Sequence, residues 1–446
     1  MLAYANGLSD EPLLGETIGE NFERTVARVP DADALISCHQ GARFTYAEFK
    51  QAVDQLATGL LNAGLGPGDR VGVWSPNRYE WTMTQYATAK LGVILVNINP
   101  AYRLAELEYA LGQSACRWIM AAPECKGSDF GAMIEEVKPS LSELERSILF
   151  GTPEWDELAG TTADQDALAR RAGELDFDDP INIQYTSGTT GFPKGATLTH
   201  HNILNNARFA AGMLNYTEAD RVCIPVPLYH CFGMVMGNLG CTNYGSCMVY
   251  PADTFDPEAT LAACAQERCT SLYGVPTMFI AQLDHPDFAG YDLGSLRTGI
   301  MAGSPCPIEV MKRVDSDMGI SEIAIAFGMT ETSPVSTQTR PDDSLEHRCG
   351  TVGQVMPHTE IKIIGVGGDE FGRIQPRGEP GEFLARGYLV MRGYWNDPER
   401  TAQAIDPGGW MHTGDLATMD EDGYVRIVGR IKDMIIRGGE NVYPRE

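Results

Sequence analysis

Basic residues are scarce in this chain: 34 lysines and arginines face 60 aspartates and glutamates, a formal net charge of −26. A surface of that sign repels phosphate backbones and anionic lipid headgroups, which excludes broad nucleic-acid or membrane-surface binding. Long apolar runs are missing as well, since nowhere do about eighteen uncharged apolar residues follow one another. The opening MLAYANGLSDEPLLGETIGE has no cationic segment ahead of an apolar one. Secretion and membrane spanning are disfavoured, and a cytoplasmic protein is expected. The 11 cysteines form no CxxC pair or regular framework, and an odd number cannot pair off within one chain. They read as reduced thiols. The 8 histidines lack metal-ligand spacing. There is no GxSxG elbow, so serine-hydrolase chemistry has no support.

Apolar residues make up 43% and charged ones 21% of 446 residues, the balance of a chain that buries a core. At this length two or three packed units are expected. Glycine (48) and proline (26) together exceed their average share of about 12%, which implies many tight turns. In FTYAEFKQAVDQLATGLLNAGLGPGDRVGVW, Thr45 and Glu48 have capping-box spacing, and Phe49, Val53, Leu56, Leu60 and Leu61 recur at helical intervals. Gly64, Gly66, Pro67 and Gly68 stop that helix. Arg70 to Trp74 then reads as a strand, a second helix starts near Tyr79, and Val93 to Ile98 is another strand. Such alternation predicts an α/β fold with largely parallel sheets covered by helices. The acidic stretch from Phe150 to Pro180 reads as a surface connection. After Pro341 the short alternating segments TEIKIIG, GEFLARG and GYVRIVG suit a small antiparallel or barrel-like unit. The expected units are 1–180, 181–340, 341–428 and a terminal stretch 429–446.

Ile181 to Tyr185 reads as a strand running into TSGTTGFPKG, Thr186 to Gly195, after which Thr199 is placed to cap a helix carrying Ile203, Ala207, Ala210 and Leu214. Small residues let backbone N–H groups converge on phosphate oxygens. The hydroxyls of Thr186, Ser187, Thr189 and Thr190 add donors, and Lys194 adds charge. A Walker A loop would need Ser or Thr directly after the lysine, where Gly195 stands, and no GxGxxG occurs at this site. P-loop NTPase and dinucleotide-binding readings therefore fail.

YTSGTTGFPKGATLTH resembles the signature of the adenylate-forming superfamily. Further motifs match in order: PLYHCFGM, GVPTMF, AFGMTETSP, GEFLARGYLVMRGYW, GWMHTGDLATMDEDGY and GRIKDMIIRGGENVYP. The weaker FTYAEF and VNINPAY extend the likeness over nearly the whole chain. The resemblance implies two α/β subdomains packed together with a small β-barrel-like subdomain. It implies an ATP- and Mg2+-dependent ligase that makes an acyl-AMP, releases pyrophosphate and passes the acyl group to coenzyme A. Its substrate would be a medium- or long-chain fatty acid or, alternatively, an aryl or other acid; a nucleotide-binding module without turnover is the competing reading.

By the same resemblance, Thr186, Ser187, Gly188, Thr189, Thr190, Gly191 and Lys194 would hold the β- and γ-phosphates. Phe327 would stack on adenine beside Gly328 and Met329, Thr330 would meet the α-phosphate, and Glu331 would hold magnesium. Gly303 and Ser304 would form a turn along the adenine and acyl group, with Ser304 where alanine is more usual. Asp415 would accept both ribose hydroxyls, and Arg430 would contact ribose or phosphate. His230, before the apolar FGMVMGNLG helix near the acyl pocket, would position the acid. Relatives carry a mobile C-terminal domain hinged near Lys432, so a chain ending at GGENVYPRE is expected to bind ATP and acid but to turn over poorly.

Overall fold

The structure, a computed structural model, describes residues 1–186 and 193–431, with the backbone alone for 435–437 and 440–442. Thr45 and Glu48 form the expected capping box, and the helix Tyr46–Asn62 buries Phe49, Val53, Leu56 and Leu60. It ends at Gly64, whose φ of +91° lies in the left-handed region that glycine adopts without strain. The strands Arg70–Trp74 and Ile94–Ile98 pair in parallel, joined by the helix Tyr79–Leu91.

Among the described residues these elements belong to three large sheets. The first orders Gly393–Tyr394, Lys194–Thr199, Pro180–Thr186, Ile94–Ile98, Arg70–Trp74, Trp118–Ala121 and Arg146–Leu149. Its last five strands are parallel, and the first two are added antiparallel. The second is nine-stranded, with a parallel centre from Glu322–Gly328 through Thr298–Ala302, Ser271–Gly274, Arg221–Cys223 and Cys247–Tyr250 to Asp33–Ser37. The third is antiparallel throughout: Tyr4–Asn6, Thr359–Ile364, Gly381–Gly387, Met411–Met419 and Val425–Arg430. It is the small unit expected after Pro341, joined by an N-terminal strand that the alternation after that point did not foretell.

The boundary expected at residue 181 does not separate the two α/β sheets. Asp33–Ser37 and Ala42–Thr45 lie in the second sheet, whereas the hairpin after residue 180 completes the first. Strands buried on both faces look alike in sequence, so hydrophobicity places the strands but not their partners. The stretch 150–180 is also more structured than a surface connection. It forms the helices Pro153–Ala159 and Gln165–Ala172, which bury Trp155, Leu158 and Leu168.

The helix Tyr79–Leu91 lies between the first two sheets and is buried over nearly its whole circumference. Its polar side chains are accordingly bonded: Gln85 Nε2 donates to the Met234 carbonyl at 3.1 Å, and the Tyr86 hydroxyl donates to the Asn238 carbonyl at 3.2 Å. At the helix end the Lys90 ammonium meets the Asp54 and Glu23 carboxylates, and Lys50 meets the same two acids. Gln165 Nε2 donates to Asp54 Oδ2 at 3.0 Å. Burial raises the Asp54 pKa, but Lys90 and Lys50 more than offset it and hold the carboxyl below its ordinary 3.8. A depressed carboxyl pKa stabilises the fold above the unfolded-state value and ceases to do so as pH falls through the folded one. Lys90→Met, which leaves Asp54 buried with Lys50 as its remaining cation, is expected to cost about 3 kcal/mol near neutral pH. In urea denaturation the loss should shrink once the pH falls below 3.8.

Candidate active site

The glycine-rich loop connects two antiparallel strands rather than a strand and a helix. Thr186 ends Pro180–Thr186 and pairs with Lys194, which opens Lys194–Thr199; the helix His200–Gly212 begins only after that second strand. The helix N-terminus is therefore remote from the loop, and it is closed by its own capping box, in which the Thr199 and Asn202 side chains bond each other's backbone N–H at 3.1 and 2.9 Å. Ser187, Gly188, Thr189, Thr190 and Gly191 lie outside the described residues, as does Lys432.

At the hairpin root, side chains from three parts of the chain meet. Gly393–Tyr394 pairs with Ala196 and Thr197, which places Tyr394 beside Lys194. Lys194 Nζ donates to the Tyr394 hydroxyl at 2.9 Å and lies 4.4 Å from its ring centroid. That hydroxyl donates to Glu331 Oε1 at 2.8 Å, and the Thr186 hydroxyl donates to the same oxygen at 3.3 Å. Glu331 is only 3% exposed. Burial, and then the adjacent Glu331 charge, push the Tyr394 phenol well above its ordinary range, so it stays protonated and donates.

Glu331 reaches this point from the second sheet. Thr298–Ala302 and Glu322–Gly328 are parallel neighbours, so the turns beyond their C-terminal ends lie side by side, where ligands bind in open α/β sheets. Gly303 and Ser304 form the first of these turns, exposed, with Gly303 at φ +86°. Phe327, Gly328, Met329 and the short helix Thr330–Thr332 form the second. Gly328 is required by a close approach, since a Cβ there would stand 1.8 Å from the Pro334 carbonyl oxygen.

Half-buried Phe327 meets Phe383 edge to face, centroids 5.4 Å apart at 88°. Phe383 belongs to the third sheet, and its carbonyl accepts from the Thr413 hydroxyl at 2.7 Å, two residues before Asp415. Asp415 pairs across strands with Arg430, whose Nε donates to Oδ1 at 2.9 Å. Burial raises the Asp415 pKa, and Arg430 opposes that rise.

His230 precedes the stretch Phe232–Leu239, which is wound as a π-helix, a form frequent at functional sites. Desolvation by the surrounding protein lowers the pKa of its ring. Nδ1 accepts from the Phe232 N–H at 3.2 Å, which leaves Nε2 to carry the proton of the neutral ring. Next to it, burial pushes the Cys231 thiol up to about 12, among Gln184, Glu331 and Thr330. A buried amide row ties this segment to the hairpin. Gln184 donates to Asn182 at 2.9 Å, Asn182 to Asn97 at 3.0 Å, and Asn97 to the Tyr229 carbonyl at 2.9 Å.

Of the described residues that the sequence singled out, the structure joins Thr186 to Glu331 directly and Lys194 to Glu331 through Tyr394, sets Thr330 beside Glu331, and pairs Asp415 with Arg430. Gly303, Ser304 and Phe327 flank the same sheet end. Tyr394 and the amide row were missed. Tyr394 stands inside the quoted GYW motif, but only strand pairing shows that it faces Lys194.

The structure thus brings together a loop rooted in a hairpin, a carboxylate at a parallel sheet end and an Asp–Arg pair on a small antiparallel sheet. The family model described as AMP-binding enzyme matches residues 22–395, and the chain belongs to that family. The YngI protein of Bacillus subtilis (strain 168) is 47% identical, over 97% of this chain and 82% of its own. The mitochondrial medium-chain acyl-CoA ligase ACSF2 of Danio rerio is 44% identical, over 100% of this chain and 76% of its own. The crystal structure of the anthranilate CoA ligase AuaEII in complex with anthranoyl-AMP superposes with a TM-score of 0.85 at 27% identity, covering 100% of this chain and 82% of that one.

A nitrogen-resolved NMR titration is expected to place the His230 midpoint below the ordinary 6.5 and the neutral-pH proton on Nε2. A midpoint above that value, or a proton on Nδ1, would contradict the hydrogen bond from Phe232.

Proposed function

We propose that the chain is an ATP-dependent carboxylate–CoA ligase acting on a medium- or long-chain fatty acid. The observation that carries this reading is the buried Glu331, tied through Tyr394 to Lys194 and directly to Thr186. In the first half-reaction a carboxylate oxygen attacks the α-phosphorus of ATP and the bond to pyrophosphate breaks. In the second the CoA thiol, losing its proton, attacks the acyl carbonyl and AMP leaves. Anions meet in the first step, so positioned cations and donors do most of the work.

In this reading Lys194 and Thr186, with the loop between them, hold the β- and γ-phosphates, and Thr330 donates to the α-phosphate. Phe327 offers its ring to adenine, flanked by the Gly303–Ser304 turn. Asp415 accepts from the ribose hydroxyls, with Arg430 bridging to ribose or phosphate. Glu331 with the Thr186 and Thr330 hydroxyls is a hard-oxygen donor set, which fits Mg2+ held jointly with substrate phosphates. Bound there, Mg2+ supplies charge neutralisation for the departing pyrophosphate. Tyr394 keeps carboxylate and ammonium at a fixed separation. Neutral His230 orients the acid through Nε2–H.

The apolar Phe232, Met234, Val235 and Met236 along the π-helix suit an alkyl chain, as does the medium-chain ligase among the relatives. An aryl acid is the second reading, supported by the Phe232–Tyr273 ring pair, 5.4 Å between centroids, and by the anthranilate ligase among the structural neighbours. The free thiols, nearly all of them buried, suit a reducing compartment such as the cytoplasm.

Acid-dependent ATP–pyrophosphate exchange over a panel of fatty, aryl and amino acids tests the assignment. Exchange is expected with medium and long alkyl acids, and an amino-acid preference would overturn the reading. Lys194→Ala is expected to slow exchange by about 10²–10³-fold. Tyr394→Phe, which removes a hydrogen bond to a charged group, should slow it roughly tenfold or more and raise the Mg2+ concentration needed for half-maximal rate.

A further inference from the structure

Three of the buried cysteines, none of them among the residues assigned above, lie together. The Sγ atoms of Cys223, Cys264 and Cys269 are all within 4.8 Å of one another, and each residue is at most 1% exposed. Local structure explains how two of them meet. The helix Pro257–Gln266 ends with Glu267 as its cap and Arg268 at φ +51°, and the Cys269 N–H donates to the Cys264 carbonyl at 3.0 Å. This left-handed helix ending folds the residue after the turn back onto the last helical turn, a contact usually made by apolar side chains. Here both positions are thiols. The third, Cys223, ends the strand Arg221–Cys223 and pairs with Leu272 of the next strand. Half-buried Cys38 packs against the same core from the short helix Cys38–Gln40.

Cysteine is a common small core residue, so packing alone accounts for a buried thiol. Packing does not by itself call for three sulfurs to converge from two separate elements. Thiolates bound to one zinc ion at about 2.3 Å stand roughly 3.8 Å apart, and no two of these sulfurs are more than 4.8 Å apart. The Arg221 guanidinium bonds Asp33 and Glu267 at 2.9 and 2.7 Å, yet its buried Nε has no hydrogen-bond partner among the described residues.

We propose that Cys223, Cys264 and Cys269 form a site for a thiophilic d10 cation, Zn2+. The all-sulfur donor set excludes Mg2+ and Ca2+. Divalent charge leaves less net negative charge in an apolar core than a monovalent ion would. Binding replaces the thiol protons with sulfur–zinc bonds and releases those protons, with no change of oxidation state. The site would clamp the end of the helix Pro257–Gln266 to the second sheet, independently of the ligase assignment.

The full chain, expressed with zinc and purified under reducing conditions without chelator, is expected to carry one zinc per chain by elemental analysis. Co2+ exchanged into it should give the thiolate charge-transfer band and intense d–d absorption of tetrahedral sulfur coordination. Cys264→Ala and Cys269→Ala, which keep an apolar group in place, should lose the metal, whereas Cys116→Ala in a different core should keep it. Chelation should lower the Tm of the parent chain and leave that of Cys269→Ala unmoved. The Co2+ spectrum of the parent chain decides the matter even if the variants fail to fold. Fully reduced protein, verified by thiol titration, that holds no zinc after dialysis against it and gives no Co2+–thiolate band would overturn the proposal. So would zinc retained equally by Cys264→Ala.

Discussion

A carboxylate almost wholly removed from water is the constraint around which the site is organised. Glu331 is stable there only because charge-assisted hydrogen bonds replace its hydration. Two of these reach Oε1, from Tyr394 and Thr186. Tyr394 in turn accepts from Lys194, so the buried negative charge is linked through one phenol to a cation. Because Glu331 comes from the second sheet and its donors from the first, the same bonds that make the charge tolerable also join the two sheets. Loosening the sheets would strand a charge in a dry interface.

The rest of the interface follows the same rule. The buried helix between the sheets carries threonines and a glutamine where an apolar stripe would suffice for packing. Each of these polar groups that meets a backbone carbonyl or hydroxyl from the opposite side specifies a single relative position of the sheets. The row from Gln184 through Asn182 and Asn97 to the Tyr229 carbonyl does so nearest the site, fixing the His230 segment against the hairpin. The third sheet is tied to the second by backbone bonds, Val352 N–H donating to the Val425 carbonyl at 2.8 Å and Val425 N–H to the Gly353 carbonyl at 2.9 Å, and by an aromatic contact. Phe327 touches Phe383, and from there the path to Asp415 runs through backbone. Phe327 and Asp415 thus sit on two sheets that meet through this ring contact and these backbone bonds.

Much of this was legible beforehand, for stated physical reasons. The capping box at Thr45 and Glu48, the glycine stop at Gly64 and the strand Arg70–Trp74 follow from local stereochemistry and periodicity, and they stand where the sequence places them. The ordered motifs named the family. The loop's setting was misjudged because KGATLT reads equally as a helix approach or a strand. Its partner strand decides between them.

What the sequence by itself determined is the set of chemically able groups and the local elements that carry them, since caps, turns and hydrophobic periods act over a few residues. What only the tertiary structure decided is which groups meet. Tyr394 between Lys194 and Glu331, and Cys223 beside Cys264 and Cys269, depend on strand neighbours separated by tens to hundreds of residues. Pairing of strands buried on both faces leaves no periodic trace, because every candidate neighbour is equally apolar, and the choice falls to the packing of the whole.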